Sequence, residues 1–217
     1  FRLQSNTVTI KAGENRADVM VHGYYDNLEA TDSIGFQLRL VMNDNLVMPL
    51  YGKDTKAVLM KSCPFDINDF TGYCMLTSMF LYEYSITGRY QRLIYTEKHP
   101  TEENTIICRN WLNDGYDVTM KFMADDPMKP FVVMDEGQVA TDEGSFFGTV
   151  HGDDKIQVRT SAYYDSVYYP CGSYLYVWTE MYVENLGVPV GTVGHFYNIM
   201  EWVSDEEADR LKKEEGM

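Results

Sequence analysis

Asp26, Glu29 and Asp32 fall three residues apart in "YYDNLEATDS". Carboxylates gathered in a turn are the hard oxygen donors that calcium takes, about six to eight oxygens at a time. The same residues are ordinary turn formers, whose side chains bond their own backbone. Asn27 beside Asp26 and Ser33 beside Asp32 keep the local charge low, so a solvated turn is the favoured reading. No cofactor is expected, and calcium is the one ion this turn could take. The pairs Asp125-Asp126 and Asp153-Asp154 are read in the same way.

The second set of chemically suggestive residues is aromatic. Seventeen tyrosines are present, and "AYYDSVYYPCGSYLYVW" crowds Tyr163, Tyr164, Tyr168, Tyr169, Tyr174, Tyr176 and Trp178 together. Successive side chains of a strand point to opposite faces, so Tyr174, Tyr176 and Trp178 line one face. Exposed, that face would be a platform on which sugar rings stack, and Tyr163, Tyr164, Tyr174, Tyr176 and Trp178 are the candidate ligand-binding residues. Against this stands the ordinary enrichment of aromatics in strands, where a Tyr ring is buried and its hydroxyl reaches water.

Catalytic patterns are sparse. His22, His99, His151 and His195 are far apart in sequence, without His-Glu-x-x-His or Gly-x-Ser-x-Gly. Cys171 with His151 or His195 is the thiol and base pairing the residue types allow, and no signature supports it. Gly187, Gly191 and Gly194 do not have dinucleotide-binding spacing and read as a turn entering a strand. With 33 acidic residues, pairs of carboxylates carry no information. No catalytic residue is assigned, and a non-enzymatic protein is expected.

Composition narrows the partners. A net charge of −15 repels the phosphate backbone that dominates nucleic-acid affinity, and it disfavours anionic membranes. No apolar run is long enough for a spanning helix, and the chain opens on a loop feeding a strand instead of a leader. Cys63, Cys74, Cys108 and Cys171 form no Cys-x-x-Cys pair, which argues against zinc ribbons and leaves buried thiols or one or two disulfides open.

The elements that must position these residues read as strands. Ile34, Phe36, Leu38 and Leu40 alternate with polar residues, as do Tyr116, Val118, Met120 and Phe122, and "KIQVRTS" and "SYLYVWTEMYVE" repeat the pattern. Asn113-Asp114-Gly115, Asp125-Asp126-Pro127, Asp142-Glu143-Gly144, Gly152-Asp153-Asp154 and Pro170-Cys171-Gly172 are the turn signals between them. Short strands so spaced indicate an all-β sandwich or barrel. One helix is expected near the end, started by Ser204 with Glu207 in a capping box and stopped at Gly216; its few apolar residues make it peripheral. A boundary near Pro64 divides the chain into a β domain over 1–61, a second over 62–203, and the helix over 204–217.

The run Val8–Ile10, Ala12-Gly13-Glu14, Ala17–Val21, Asp26–Asp32 and Phe36–Leu40 resembles the second half of a Calx-β domain, an immunoglobulin-like sandwich whose first half is missing here. In that family, acidic loop residues bind calcium. "CPFDINDFTGYC", "NDGYDVTMKF" and the closing β run resemble a domain that follows such modules in secreted lipoproteins of Bacteroidetes-type gut bacteria. This resemblance implies an antiparallel β-barrel or calycin-like meander, export, and a lipid anchor on a cysteine outside this sequence. The resulting expectation is an all-β, non-enzymatic binding or adhesion-like module at the outer-membrane surface or in the periplasm of a Gram-negative bacterium. Polysaccharide is its favoured ligand; a module binding another surface protein, or an uncharted hydrolase, is the alternative.

Overall fold

The computed structural model describes residues 1–29, 32–41, 54–61, 63–85, 88–127, 129–148, 150, 152–184 and 191–214. Two compact units divide the chain, Phe1–Ser62 and Cys63–Met217. In the first, β1 (Arg2–Leu3) pairs antiparallel with β2 (Val21–His22), and β3 (Ser33–Arg39) with β4 (Asp54–Met60). The register sets Ile34 opposite Leu59 and Phe36 opposite Ala57, so the predicted alternation gathers one apolar face. The acidic stretch lies between the pairs, with Tyr25–Asn27 in a 3-10 turn.

The second unit is a closed barrel. Its strands are β5 (Gly72–Ser78), β6 (Gln91–Lys98), β7 (Thr105–Arg109), β8 (Val118–Met123), β9 (Phe131–Val133), β10 (Gln138–Asp142), β11 (Lys155–Thr160), β12 (Val167–Tyr169), β13 (Tyr174–Val183) and β14 (Gly191–Trp202). Antiparallel pairing runs β5, β6, β7, β8, β9, β12, β13, β14 and back to β5, eight strands in a ring. The expected antiparallel barrel is therefore present. β10 and β11 branch from it, because β11 pairs with the far half of β13 while β12 pairs with the near half. Where β9 is too short to reach, the Gln138 carboxamide stands in for a strand: its oxygen accepts from Thr119 N and its nitrogen donates to Thr119 O at 3.1 Å.

Alternation fills the interior. Val118, Met120 and Phe122 of β8, Leu175 and Val177 of β13, and Phe196 and Met200 of β14 are buried together, each contributing about 1.5–3 kcal/mol by leaving water. One cluster of rings is centred on Phe70, from the 3-10 turn Ile67–Phe70 that Asp66 caps. Phe70 lies 4.7 Å from Phe122, 5.1 Å from Trp202 and 5.7 Å from Tyr168 between ring centroids. Trp202 Nε1 donates to Thr96 Oγ1 at 2.9 Å, and that hydroxyl donates to the carbonyl of Phe70 at 3.0 Å, so the ring cluster carries its own polar tie. Cys63 and Cys171 form a disulfide across 108 residues, while Cys74 and Cys108 are buried thiols.

Among the described residues, three α-helices complete the unit: α1 (Met79–Tyr84), α2 (Glu143–Phe147) and α3 (Asp205–Glu214). The residues read as a turn at 142–144 begin α2, since Asp142 accepts from Ser145 N at 2.7 Å as its N-cap. At α3, Ser204 Oγ accepts from Glu207 N at 3.2 Å, as expected. Glu207 itself bonds Arg210, an exposed pair one turn on, so the return half of the capping box is replaced by an ion pair. Gly216, the expected stop, lies outside the described residues. Ala208 and Leu211 are buried, which docks the helix by two side chains. Among the described residues, no helix is long and apolar enough to cross a membrane.

Candidate functional site on the outer aromatic face

The wall made by β12, β13 and β14 carries the densest aromatic surface of the second unit. Register puts Tyr169 opposite Tyr174, and Trp178 opposite Tyr197, with all four side chains outward because Tyr168, Leu175, Val177 and Phe196 point in. Opposed residues of an antiparallel pair bring their side chains within contact. The rings accordingly form a ladder: Tyr169 stacks on Tyr174 at 4.6 Å and 16°, Tyr174 meets Tyr176 edge-on at 5.5 Å, and Tyr176 stacks on Tyr197 at 5.4 Å and 16°. Trp178 follows at 5.0 Å from Tyr197 and is covered by Tyr164 at 4.3 Å and 28°.

Tyr163 and Tyr164 reach this wall because the edge of β13 changes partner beside Trp178. There β11 has ended and β12 has not begun, so the backbone of Trp178 bonds the linking segment instead. Ser161 N donates to Trp178 O at 3.0 Å, and Ser166 Oγ accepts from Trp178 N at 2.9 Å. The segment between these two serines arches outward with Tyr163 and Tyr164 on it. Tyr163 is 77% exposed and Tyr164 49%. Both sit edge-on to His195, whose Nδ1 is 3.1 Å from Ser161 Oγ; the same oxygen accepts from Tyr163 N at 3.2 Å.

Beside His195, Glu180 is held by Arg159, which donates from Nε at 3.0 Å and from Nη2 at 3.1 Å, while Nη1 pairs with Glu136. This bidentate partner keeps the Glu180 carboxyl below its ordinary range. Arg159 also lies 4.8 Å over the Tyr182 ring. Tyr182 is buried beneath it, its oxygen accepting from Gly137 N at 2.9 Å. Burial first, and then the neighbouring phenols, raise Tyr197 to about 12 and push Tyr174 upward as well. These hydroxyls stay protonated donors at neutral pH.

All five sequence-derived ligand residues therefore lie on one wall: Tyr163 and Tyr164 exposed, Tyr174, Tyr176 and Trp178 half-buried. Tyr169, Tyr197 and His195 were missed. The alternation of His195, Tyr197 and Ile199 against Phe196, Asn198 and Met200 was the available signal, but it needs the pairing of β14 with β13 to be read as the same surface. Stacking pairs Tyr169 with Tyr174, Tyr176 with Tyr197 and Tyr164 with Trp178, and the most exposed rings of the wall are Tyr163, Tyr164 and Tyr169.

The remaining candidates stay apart. Asp26, Glu29 and Asp32 lie in the first unit, linked by the turn bond from Asp32 N to Glu29 O at 3.1 Å. Among the described residues, no three His, Cys, Asp or Glu side chains converge on a point where a metal could sit. Cys171 is held in the disulfide, which removes the thiol from the pairing with His195; His151 and Gly187 lie outside the described residues. Asp153 pairs with Lys155 at 3.5 Å. His99 Nδ1 accepts from Glu102 N at 3.0 Å, and His22 packs edge-on to Tyr24 at 5.2 Å.

A filled, closed antiparallel barrel with a stacked aromatic wall on its outer face defines an all-β domain. The chain belongs to the DUF4984 family, a domain of unknown function whose model matches residues 50–214. Residues 8–41, which carry the resemblance to a Calx-β domain, lie before that match, and no Calx-β or immunoglobulin-like family model matches them. No curated protein and no solved structure matches the chain.

Proposed function

We propose that the protein is a non-enzymatic binding module that takes polysaccharide on the aromatic wall of its barrel. The observation that carries this reading is the exposed pair Tyr163 and Tyr164, held over a rigid two-strand ladder by Ser161 and Ser166. Free ring faces stack on the apolar faces of sugars, and the hydroxyls of Tyr174 and Tyr197 stand ready to donate to sugar oxygens. Because β13 and β14 fix the ladder, little side-chain freedom is lost on binding.

An extracytoplasmic setting, at the surface or in the periplasm of a Gram-negative bacterium, accords with the Cys63–Cys171 disulfide, since such bonds persist in oxidising compartments. The lipoprotein assignment and the Calx-β character of the first unit rest on sequence resemblance. The acidic turn is read as solvated.

The test is a glycan array followed by titration calorimetry on the best ligand. Tyr163→Ala and Tyr164→Ala should each weaken binding by about two- to tenfold, the effect expected for a lost stacking contact of about 0.5–1.5 kcal/mol. A blank array, or wild-type affinity in both variants, would sink the reading. A protein-docking role is the second reading, favoured by the half-buried Tyr174, Tyr176 and Trp178 of the ladder; capture of a surface protein lost in the same variants would select it.

A further inference from the structure

A cleft lies elsewhere on the second unit, lined by Tyr73 of β5, by Arg92, Ile94 and Tyr95 of β6, and by Arg109 at the end of β7. It has a volume of about 670 Å³, within the roughly 300–1,000 Å³ typical of small-ligand clefts. Its charge runs against that of the chain. Arg89, Arg92, Arg109 and Lys212 line it, with Asp114 as the one acid among the described lining residues, in a protein with 18 basic and 33 acidic residues. We infer that this cleft is a separate binding site for a carboxylate-bearing sugar residue, a uronate.

The cations play different parts. Arg109 is committed to structure, bonded to Glu97 on one side and Asp117 on the other. Arg92 is anchored but not saturated. Its Nε donates to the carbonyl of Asn110 at 3.0 Å, which fixes the guanidinium, and its Nη2 pairs with Asp114. The side chain of Asp114 is 87% exposed, so that pair is of the weak surface kind and can yield to an incoming carboxylate. An arginine matches a carboxylate bidentately. The second cation is Lys212, 3.7 Å over the Tyr73 ring and paired with Asp209. Tyr73 meets Tyr95 edge-on at 5.2 Å, and Tyr95 is 45% exposed at the cleft, an aromatic wall for a pyranose ring. A neutral sugar would leave Arg92 no better bonded than water does, so selectivity for the acid follows.

The inference takes from the proposed function only that the ligands are sugars. The experiment titrates the whole protein with digalacturonate and with neutral galactobiose, by calorimetry at low and high salt. Digalacturonate should bind, and galactobiose should show no binding that depends on Arg92 or Lys212. Affinity should fall several-fold between 0.05 and 0.5 M NaCl, over which screening shortens from about 14 to about 4 Å. Arg92→Gln and Lys212→Gln, each checked for an unchanged melting temperature, should weaken binding about tenfold or more. Lys121→Gln, an exposed position on β8 outside the cleft, should leave it intact. Absence of digalacturonate binding, or binding indifferent to both cleft variants, overturns the inference. If the array finds a ligand for the aromatic wall while digalacturonate fails, only the cleft is refuted; if the array is blank while digalacturonate binds through Arg92, only the aromatic wall is.

Discussion

Replacing Arg159 by Leu tests how the aromatic wall is braced. The substitution removes two charge-assisted bonds to Glu180, one to Glu136, and the cover over Tyr182. The Glu136 pair involves a side chain 66% exposed and contributes about 0–1 kcal/mol. Glu180 is 9% exposed, and stripping a partner from a buried charge costs about 3–5 kcal/mol when both members are buried. The Arg159 side chain is 34% exposed, so water relieves part of that, and a net loss of about 2–3 kcal/mol is expected. For a unit of this size, at roughly 2–4 °C per kcal/mol, the melting temperature should fall by about 4–12 °C at neutral pH. The pH dependence identifies the cause. Arg159 lowers the folded-state pKa of Glu180, so its stabilisation is present above the ordinary Glu pKa of about 4.3 and is lost as pH falls through the lowered value. In the variant the same carboxyl is buried without its cation and protonates more readily. The gap between wild type and variant should therefore be widest near neutrality, narrow on acidification, and close only as pH falls through the lowered pKa of Glu180. Urea unfolding followed by tryptophan fluorescence at pH 7 and 3.5 measures it. A gap equally large at both pH values, or none at pH 7, would refute the charge argument.

Phe70→Ala should destabilise the second unit by about 3–5 kcal/mol, because it empties the centre of a four-ring cluster at full burial; chemical denaturation reads the loss. Replacing Cys63 and Cys171 together by Ser should cost roughly 2–4 kcal/mol, seen as a lower melting temperature that reducing agent does not lower further. Burial raises the pKa of both Cys74 and Cys108. An aromatic disulfide reagent should therefore find no reactive thiol in the native protein at pH 8 and two after unfolding in denaturant without reductant.

The strands were legible wherever one face is buried and the other wet. β8 is the clear case, since Val118, Met120 and Phe122 are buried while Lys121 is exposed. Closure was not legible: pairing β14 with β5 joins Trp202 to Cys74, and nothing local specifies so distant a register. α2 was hidden because an N-cap and a turn draw on the same residues, and Asp142-Glu143-Gly144 satisfies both descriptions. The disulfide could not be chosen among the pairings that four cysteines allow. At the candidate site, the common face of Tyr174, Tyr176 and Trp178 followed from alternation alone. That Tyr164 lies on Trp178 depends on a gap in the edge of β13, and gaps in pairing leave no compositional trace.

Because β13 and β14 send every second residue outward from a barrel already sealed by the others, the surface vocabulary of this wall is separable from its scaffold. Tyr169, Tyr174, Tyr176 and Tyr197 could be exchanged for other side chains while Tyr168, Leu175, Val177 and Phe196 go on holding the ring shut. A domain built this way can vary its outer surface by changing alternate letters, with the hidden letters untouched.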